Sequence, residues 1–318
     1  MRKAVRILLL ILLLAVLVVA GASVYMLNYS LSPQVNKGRD TEGSYERLYR
    51  SYPHLQAWVD SLQHIDALHH IYRYGADGLR LHALYVHAPD STRRTAIIVH
   101  GYTDNAVHML MIGYLYAHEL GYNILLPDLH AHGESEGHDI RMGWKDRLEV
   151  LDWASKADSL FGGNTEMVVH GISMGAATTM MLSGELEHPV YGHLKCFVED
   201  CGYTSVWDEF EYELQEIFGL PSFPLLYSTD LLCRLLYGWS FKQASSIEQV
   251  RKCSLPMLFI HGEADDYVPT HMVYPLYEAK PEPKSLFTLP DVPHAVAYKT
   301  HPEAYTERVR SFVSKYIR

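Results

Sequence analysis

The sequence is poor in cysteine and, outside its first residues, poor in clustered positive charge. Its four cysteines all lie at or beyond Cys196, so no N-terminal cysteine is available to carry a lipid. The formal net charge is −10, and without a basic cluster in the body of the chain, nucleic acid is not expected as a partner. The chain also lacks internal repeats, low-complexity tracts and heptad arrays, which excludes solenoids and coiled coils.

The positions of the cysteines allow one possible disulfide bond. Cys196 and Cys201 are predicted to share a strand, which would hold their Cα atoms roughly 16 Å apart, too far for a disulfide. Cys233 and Cys253 can still pair if the compartment is oxidising.

The one long hydrophobic run lies at the N-terminus. Residues 7–27 are uncharged and mostly apolar, and as a helix they would span roughly 31 Å, about the thickness of the hydrocarbon core of a bilayer. Arg2, Lys3 and Arg6 precede this run. Basic residues on that side predict a membrane anchor with a cytoplasmic N-terminus and the rest of the chain outside the cytoplasm.

The competing interpretation is a cleavable signal peptide, because Ala20-Gly21-Ala22 resembles a small-residue cleavage site. Residues 1–30 are therefore assigned to an anchor or signal segment. In either case residues 37–318 are expected to act outside the cytoplasm, membrane-anchored or, after cleavage, secreted or periplasmic. Residues 31–69 are assigned to a helical linker, since the segment 45–65 has the apolar spacing of one or two amphipathic helices.

Residues 70–318 have the pattern of an α/β domain. An antiparallel hairpin is predicted from HHIYRY, a turn at residues 75–78 and LRLHALYVH. Six short apolar runs follow: TAIIVHG, NILLPD, MVVHG, KCFVED, PMLFIHG and SLFTLPD. Most are separated by segments with helical spacing. Apolar strands that alternate with helices predict a mostly parallel sheet covered by helices on both faces.

Polar residues and glycines follow the predicted strands. His100-Gly101, Asp128, His170-Gly171, Asp200 and His261-Gly262 each stand at the end of an apolar run, and ligands of such sheets bind outside the carboxyl ends of the strands. The three histidines are interpreted individually as hydrogen-bonded structural residues. The repeated glycines indicate tight turns and close backbone approach.

The stretch MVVHGISMGAATTM contains the candidate nucleophile, Ser173. A strand leads into Gly171-Ile172-Ser173-Met174-Gly175, and small helix-forming residues follow. Such a turn lifts the serine hydroxyl out of the sheet and places it at a helix N-terminus, where unpaired N–H groups favour an oxyanion. The alternative is an ordinary serine in a glycine-rich loop, because G-x-S-x-G alone is a weak signal.

A nucleophilic serine needs a base, and the base needs an orienting acid. His294 follows the last predicted strand, in DVPHAVAY, and Asp265 follows the strand before it, in HGEADDYVP. The chain order Ser173, Asp265, His294 is that of one hydrolase architecture. Asp266 is the competing acid, whereas Asp291 is interpreted as a turn residue.

The backbone N–H groups of Tyr102 and Met174 are predicted to form the oxyanion hole. Met174 directly follows the candidate nucleophile, and Tyr102 directly follows the first His-Gly pair. Losing one such donor typically costs about 3 kcal/mol of transition-state stabilisation.

These residues make the chain resemble the α/β-hydrolase superfamily over roughly residues 70–315. The matching motifs are HGYTDN at 100–105, PDLHAHGESEG at 127–137, GISMGA at 171–176, HGEADDYVP at 261–269 and PHA at 293–295. The stretch EDCGYTSVWDEF looks most like the Bem46-like branch, whose members are often membrane-anchored serine hydrolases of poorly defined substrate. One departure is His130-Ala131-His132-Gly133, where relatives often carry an arginine before Gly-His-Gly; that motif is structural in the family.

The resemblance implies an α/β-hydrolase fold: an eight-stranded, mostly parallel sheet with helices on both faces. It implies no cofactor and an acyl-enzyme mechanism that uses Ser173, Asp265 and His294. It also implies that residues 203–250, rich in Phe, Tyr, Leu and Trp, form a small helical cap over the serine. The apolar cap residues could line an acyl pocket, touch the bilayer or simply pack the cap onto the core.

Three functional classes follow. The leading prediction is a serine esterase acting on carboxylic esters, lipid-like ones included. A serine peptidase or amidase would use the same triad, whereas a non-catalytic, membrane-tethered binding protein would need none of its residues. A metal site is not expected, since His130-x-His132 and His69-His70 lack a third ligand at a recognisable zinc spacing.

Overall fold

The computed structural model describes residues 2–33 and 39–318. Helix α1 (Arg2–Leu31) takes up the N-terminal hydrophobic run. Among the described residues it is the one helix long and apolar enough to cross a membrane. Ser23, Leu27 and Leu31 are its buried residues. Their spacing of four is that of one helix face, so α1 packs against the body along its last turns only.

Two amphipathic helices follow in the segment predicted to be helical. They are α2 (Thr41–Ser51) and α3 (Gln56–His64). Leu48 of α2, Val59 of α3 and Leu55 between them are fully buried and belong to the core on one face of the sheet. The two helices therefore pack onto the domain along their apolar faces.

Eight strands form one sheet: β1 (His69–Tyr74), β2 (Arg80–Val86), β3 (Arg94–Val99), β4 (Asn123–Pro127), β5 (Glu166–Ile172), β6 (Leu194–Asp200), β7 (Met257–Gly262) and β8 (Lys284–Leu289). Their order across the sheet is β1-β2-β4-β3-β5-β6-β7-β8. Strand β2 is antiparallel to both β1 and β4, and all other neighbours are parallel. The predicted fold class is confirmed.

Apolar packing covers both faces of the sheet. Successive residues of a strand point to opposite faces. In β3, Ile97 and Val99 therefore join one core, while Ala96 and Ile98 join the other. A strand buried on both faces has to be continuously apolar, which is why these strands are visible in the sequence.

The remaining helices are α4 (Leu110–Tyr114), continued by a π-helical turn (Leu115–Glu119), α5 (Asp146–Leu160), α6 (Met174–Leu182), α7 (Val206–Phe218), α8 (Leu225–Tyr237), α9 (Ser246–Val250), α10 (Val273–Ala279), α11 (Ala297–Thr300) and α12 (Pro302–Val313). Helices α7 to α9 lie between β6 and β7 and form the cap. The Ser205 hydroxyl caps the start of α7 by accepting the N–H of Asp208, and left-handed Gly219 and Gly238 end α7 and α8.

All four cysteines are buried free thiols. The pairing of Cys233 with Cys253 that the sequence left open is therefore not formed. The two residues are held in different surroundings. Cys233 is on the buried side of α8, whereas the Cys253 thiol, in the segment that leads into β7, contacts the carbonyl of Leu255.

Candidate active site

Ser173 occupies a sharp turn between β5 and α6. Its backbone has φ 57° and ψ −121°, a strained conformation for a residue with a side chain, and its N–H donates to the Asp200 carbonyl. A Cβ on Gly171 would lie 2.0 Å from the Gly175 oxygen, and a Cβ on Gly175 would lie 2.1 Å from the Val99 oxygen. The two glycines therefore permit the close packing that presents the serine hydroxyl at the carboxyl edge of the sheet.

Three side chains from distant parts of the chain meet at this turn. The Nε2 atom of His294 lies 2.9 Å from the Oγ atom of Ser173. The Nδ1 atom of the same ring lies 2.7 Å from the Oδ2 atom of Asp265. The fold thus brings together residues that are 121 and 29 positions apart in sequence, and it joins them in one hydrogen-bonded chain.

The other two acids considered from the sequence have different surroundings. Asp266 accepts the Tyr212 hydroxyl on its backbone carbonyl, while the acid against His294 is its neighbour. Asp291 has φ 57° in the turn that follows β8, which agrees with its interpretation as a turn residue.

Asp265 is held as an ionised carboxylate. Its Oδ1 atom accepts the backbone N–H groups of Tyr267 and Val268 at 3.0 and 2.9 Å. Burial raises the pKa of this carboxyl, but the hydrogen bonds and charges of His261 and His294 outweigh burial and lower the pKa to about 2. A buried negative charge next to Nδ1 keeps the proton on that nitrogen, so Nε2 is free to accept the serine proton.

The backbone at Tyr102 and Met174 borders the serine. Met174 is the first residue of α6, so its N–H has no acceptor within the helix. The loop before Tyr102 passes close by, since a Cβ on Gly101 would lie 3.3 Å from the Cβ of Ser173. Both residues line the same cavity as the serine. Their donation to an oxyanion stays a prediction.

The three strand-end histidines are buried and bonded within the protein. His100 contacts two backbone groups, in the loops after β3 and β4. His170 lies between two tyrosine hydroxyls, and burial lowers its pKa to about 3. The Nε2 atom of His261 contacts a backbone carbonyl at 2.9 Å. These contacts agree with the structural interpretation of all three.

Asp128 anchors the loop after β4 and connects to a second polar group. Its carboxylate accepts the backbone N–H groups of Ala106 and Glu134 and contacts Nδ1 of His82 at 2.6 Å. The Nε2 atom of His82 lies 2.9 Å from Nδ1 of His70. His70, His82 and Glu134 are therefore within reach of one another, a grouping that spacing along the chain does not reveal.

Two cavities meet at Ser173. One has a volume of about 370 Å³ and lies under the cap. The other, of about 340 Å³, lies on the side of His294 and is bordered by the paired Asp104 and His108. The first cavity is lined, besides the serine, by Met26, Tyr29, Ser30, Tyr102, Thr103, Met142, Met174, Tyr203, Glu209, Phe210, Glu213, Leu214, Ile217, Phe218, Leu225, Leu226, Thr229, Phe241 and Tyr267. The hydroxyl thus faces a mostly apolar space on both sides, and on the side of His294 the wall includes the paired Asp104 and His108.

Glu209 of α7 places a carboxyl group in the cavity under the cap. Its side chain is buried, and its Oε2 atom has no hydrogen-bond partner among the residues described. Burial, reinforced by the charges of Glu213 and Asp265, raises the pKa of this carboxyl well above its usual range. Burial in the cavity therefore favours the neutral form of this carboxyl group.

The contribution of α1 to this site was not predicted from the sequence. Met26, Tyr29 and Ser30 line the cavity under the cap, although the N-terminal segment was assigned only to membrane attachment or export. A usable signal is present, since Ser23 interrupts the apolar run of residues 7–27 and Asn28 directly follows it. Polar residues there suit packing against protein better than contact with lipid alone.

Comparisons with known sequences agree with this geometry. A family model described as serine hydrolase (FSH1) matches residues 152–296. The uncharacterized protein YqkD of Bacillus subtilis (strain 168) is 32% identical over 223 residues, which cover 69% of this chain and 70% of YqkD. The uncharacterized protein YfhR of Escherichia coli O157:H7 is 24% identical over 226 residues, or 69% of each chain.

Comparisons with solved structures show the same fold. The esterase Pf2001 of Pyrococcus furiosus has a TM-score of 0.63 and 22% identity, covering 79% of this chain and 93% of that one. The acylaminoacyl peptidase of Pyrococcus horikoshii has a TM-score of 0.56 and 15% identity, covering 78% of this chain and 40% of that one. The narrower resemblance to the Bem46-like branch stays a prediction. The chain belongs to the α/β-hydrolase superfamily of serine hydrolases.

Proposed function

We propose that the protein cleaves carboxylic esters with an apolar acyl group, through an acyl-enzyme intermediate. The observation that carries this proposal is the hydrogen-bonded chain from Asp265 through His294 to Ser173, which ends at the wall of the cavity under the cap. Serine, histidine and aspartate in that arrangement are the parts of a nucleophile, its base and the group that orients the base.

In the first half-reaction the Ser173 hydroxyl gives its proton to Nε2 of His294 while Oγ forms a bond to the ester carbonyl carbon. Asp265 stabilises the resulting imidazolium through the Nδ1–H bond. The N–H groups of Tyr102 and Met174 donate to the carbonyl oxygen as it becomes negative. The carbon–oxygen bond to the alcohol then breaks, and His294 protonates the leaving oxygen.

In the second half-reaction a water molecule replaces the alcohol. His294 takes a proton from this water, whose oxygen attacks the carbonyl carbon of the acyl-serine. The bond to Oγ breaks, the serine recovers its proton from the imidazolium, and the carboxylic acid leaves. The products are one acid and one alcohol, and no cofactor takes part.

The two cavities support an assignment of the two halves of the substrate. The apolar cavity under the cap suits an aliphatic acyl chain, because a chain gains free energy from leaving water and needs no hydrogen bonds there. The space beside Asp104 and His108 suits the alcohol, whose oxygen has to reach His294 for protonation.

A serine peptidase or amidase with the same three residues is the alternative function. One solved structure similar to this chain is an acylaminoacyl peptidase. The apolar cavity favours the ester, because burying the polar backbone of a peptide without hydrogen-bond partners is costly. A non-catalytic binding protein would have no use for the Ser173–His294–Asp265 arrangement.

A substrate panel separates these functions. The full-length protein is assayed with p-nitrophenyl butyrate and octanoate and with alanine p-nitroanilide. We expect the esters to exceed the anilide in kcat/KM by about 100-fold or more. Ser173→Ala should abolish ester hydrolysis, and Ser183→Ala, at the other end of α6, should retain it. Faster anilide cleavage would favour the peptidase, and ester hydrolysis by Ser173→Ala would remove the proposed mechanism.

We also propose that α1 anchors the protein in a membrane, with the N-terminus cytoplasmic and the catalytic domain outside. The basic Arg2, Lys3 and Arg6 before the apolar run support this orientation. Cell fractionation and mass measurement of the N-terminus test it. An intact N-terminus in the membrane fraction is expected, whereas a chain that begins near residue 23 would identify a cleaved signal peptide.

A further inference from the structure

The last turns of α1 are built into the catalytic domain. The Oγ atoms of Ser23 and Ser228, on α1 and α8, lie 2.7 Å apart. The carbonyl of Leu31 accepts the backbone N–H of Ile140 at 2.8 Å, and Leu27 and Leu31 are buried. This end of the helix therefore has a fixed position against the cap and is more than a flexible tether.

The same turns form part of the wall around the substrate cavity. Met26, Tyr29 and Ser30 line the cavity that contains Ser173. The Tyr29 ring packs edge-on against Phe218 of the cap, with ring centroids 5.6 Å apart. The Tyr102 hydroxyl donates to the Ser30 carbonyl at 2.8 Å. One residue proposed for the oxyanion hole is thus attached directly to α1.

The cap carries an exposed apolar stripe beside α1. The stripe consists of Phe223, Tyr227, Leu231 and Leu235, and we call it the cap stripe. Tyr227, Leu231 and Leu235 recur every fourth position and so share one face of α8. Phe223 lies in the turn before the helix, with its ring 5.8 Å from that of Tyr227, and Phe223 and Leu235 are each 73% exposed. Scattered exposed apolar residues are common, but a continuous apolar face marks an interaction surface.

The position of the cap stripe along α1 indicates what covers it. Ser23 contacts Ser228 of α8, and Ser23 lies inside the apolar run of residues 7–27. Helix α8 is therefore level with the last third of the segment that is long enough to span a membrane. The medium that covers the exposed side of α1 at that level also covers the cap stripe. If α1 is the membrane anchor proposed above, that medium is lipid.

We propose that the cap stripe lies in the surface of the bilayer and that the cavity, walled by α1, receives the acyl chain of an ester dissolved in that bilayer. The substrate class is thus a membrane-resident ester with an aliphatic acyl chain. This inference rests on the proposed function. It adds that α1 determines chain-length selectivity and that the substrate enters from the membrane.

The contribution of α1 to the cavity wall is tested with a larger side chain at one of its wall positions. In Met26→Trp the larger ring occupies part of the cavity, so the ratio of kcat/KM for p-nitrophenyl decanoate to that for the butyrate should fall about tenfold. The matched control is Val24→Trp, at an exposed position of the same helix turn, which should keep the wild-type ratio. An unchanged ratio in Met26→Trp would overturn the role of α1.

Access from the membrane is tested with the full chain in phosphatidylcholine vesicles. Hydrolysis of vesicle-embedded p-nitrophenyl palmitate is compared with that of water-soluble p-nitrophenyl butyrate. Leu231→Asp and Leu235→Asp should each lower this ratio about fivefold or more, because a charge weakens contact with the bilayer. Leu186→Asp, an exposed position beyond the C-terminal end of α6, should leave the ratio unchanged.

Two controls keep these outcomes distinct. Butyrate hydrolysis that a variant retains shows that this variant is folded, and its loss in Ser173→Ala shows that the proposed function holds. If butyrate hydrolysis does not depend on Ser173, the proposed function itself fails. If it does, but both cap-stripe variants keep the wild-type ratio, the membrane proposal alone is overturned. The membrane proposal is likewise overturned if these variants only split a dimer, because then a second copy covers the stripe.

Discussion

The carboxyl edge of the sheet and the cap above it contribute to the site in different ways, which two buried carboxyl groups illustrate. Asp265, at the sheet edge, accepts two backbone N–H groups and faces two histidines, and its pKa is lowered to about 2. Glu209, on the cap, has its pKa raised well above the usual range because burial removes water and Glu213 adds a like charge. Burial alone therefore does not decide whether a carboxyl group is charged. The hydrogen-bond donors and charges around the group decide it.

The sheet edge and the cap also differ in what they contribute to function. At the sheet edge, backbone contacts around Gly171 and Gly175 leave no room for change, and the groups there move a proton. In the cap and α1, side-chain packing shapes a mostly apolar space, and a few hydrogen bonds, such as that between Ser23 and Ser228, fix its wall. We therefore expect changes at the sheet edge to reduce the rate for every substrate, and changes in the cap to alter which substrate is preferred.

The largest effect is expected for the orienting acid. Asp265→Asn would keep the size of the side chain but remove the charge that stabilises the imidazolium, so kcat/KM for every ester should fall about 10⁴-fold. Asp266→Asn is the matched control and should stay within about threefold of wild type, since its side chain is not the one against His294. Steady-state kinetics on short and long esters checks both. A larger loss in Asp266→Asn would reassign the acid, and equal losses would contradict the specific role of Asp265.

The next effect concerns the turn that carries the nucleophile. In Gly171→Ala the new Cβ would collide with the backbone of Gly175, so the free energy of unfolding should fall by about 3 kcal/mol or more. Gly192→Ala adds a Cβ with nothing within 4 Å and should change it by less than about 0.5 kcal/mol. Urea unfolding measures both values. Similar stability of the two variants would contradict the tight packing at the turn.

A change in the cap should alter selectivity at a moderate cost in stability. Leu226→Ala enlarges the cavity, so the preference for decanoate over butyrate should rise about tenfold while the free energy of unfolding falls by about 2–4 kcal/mol. Leu276→Ala, a fully buried leucine of α10, should lose similar stability without any shift in preference. A shift in both variants would mean that selectivity follows general loosening of the fold rather than the cap.

The smallest effect is a pH dependence of stability that belongs to the cap. Because the pKa of Glu209 is raised in the folded state, its contribution to stability is complete below its unfolded pKa of about 4.3 and is lost as pH rises toward the folded value. Glu209→Gln should remove this loss, so its stability relative to wild type should increase by up to about 1.4 kcal/mol per pH unit above that point. Unfolding between about pH 5 and pH 7 measures the slope. In Glu216→Gln, at an exposed position of the same helix, stability should depend on pH as it does in the wild-type protein.

Much of the sheet edge could be predicted from the sequence, because its determinants are local. Apolar strands end in His-Gly pairs, and Gly171, Ser173 and Gly175 form a turn motif with fixed spacing. The pairing of Asp265 with His294 was accessible through their chain order relative to the serine. Neighbouring residues thus carry the information for the turn, chain order supplies the acid and the base, and the parallel sheet brings the strand ends together.

The cap and α1 were less predictable, because their roles depend on packing between distant segments. The position of the cap was expected, but not the burial of Glu209 or the contact between Ser23 and Ser228 that places α1 on the cavity wall. The grouping of His70 with His82 and Glu134 likewise arises from strand pairing and loop position. Hydrophobic residues predict that a segment is buried, but not which surface buries it.

The most direct test of the central claim is covalent labelling of the full-length protein with a fluorophosphonate, followed by peptide mass mapping. We expect a single phosphonyl adduct on Ser173 and no adduct in Ser173→Ala, because only the activated serine hydroxyl displaces the fluoride. Labelling of Ser173→Ala equal to that of wild type, or an adduct only at another residue, would contradict the role of Ser173 as the nucleophile.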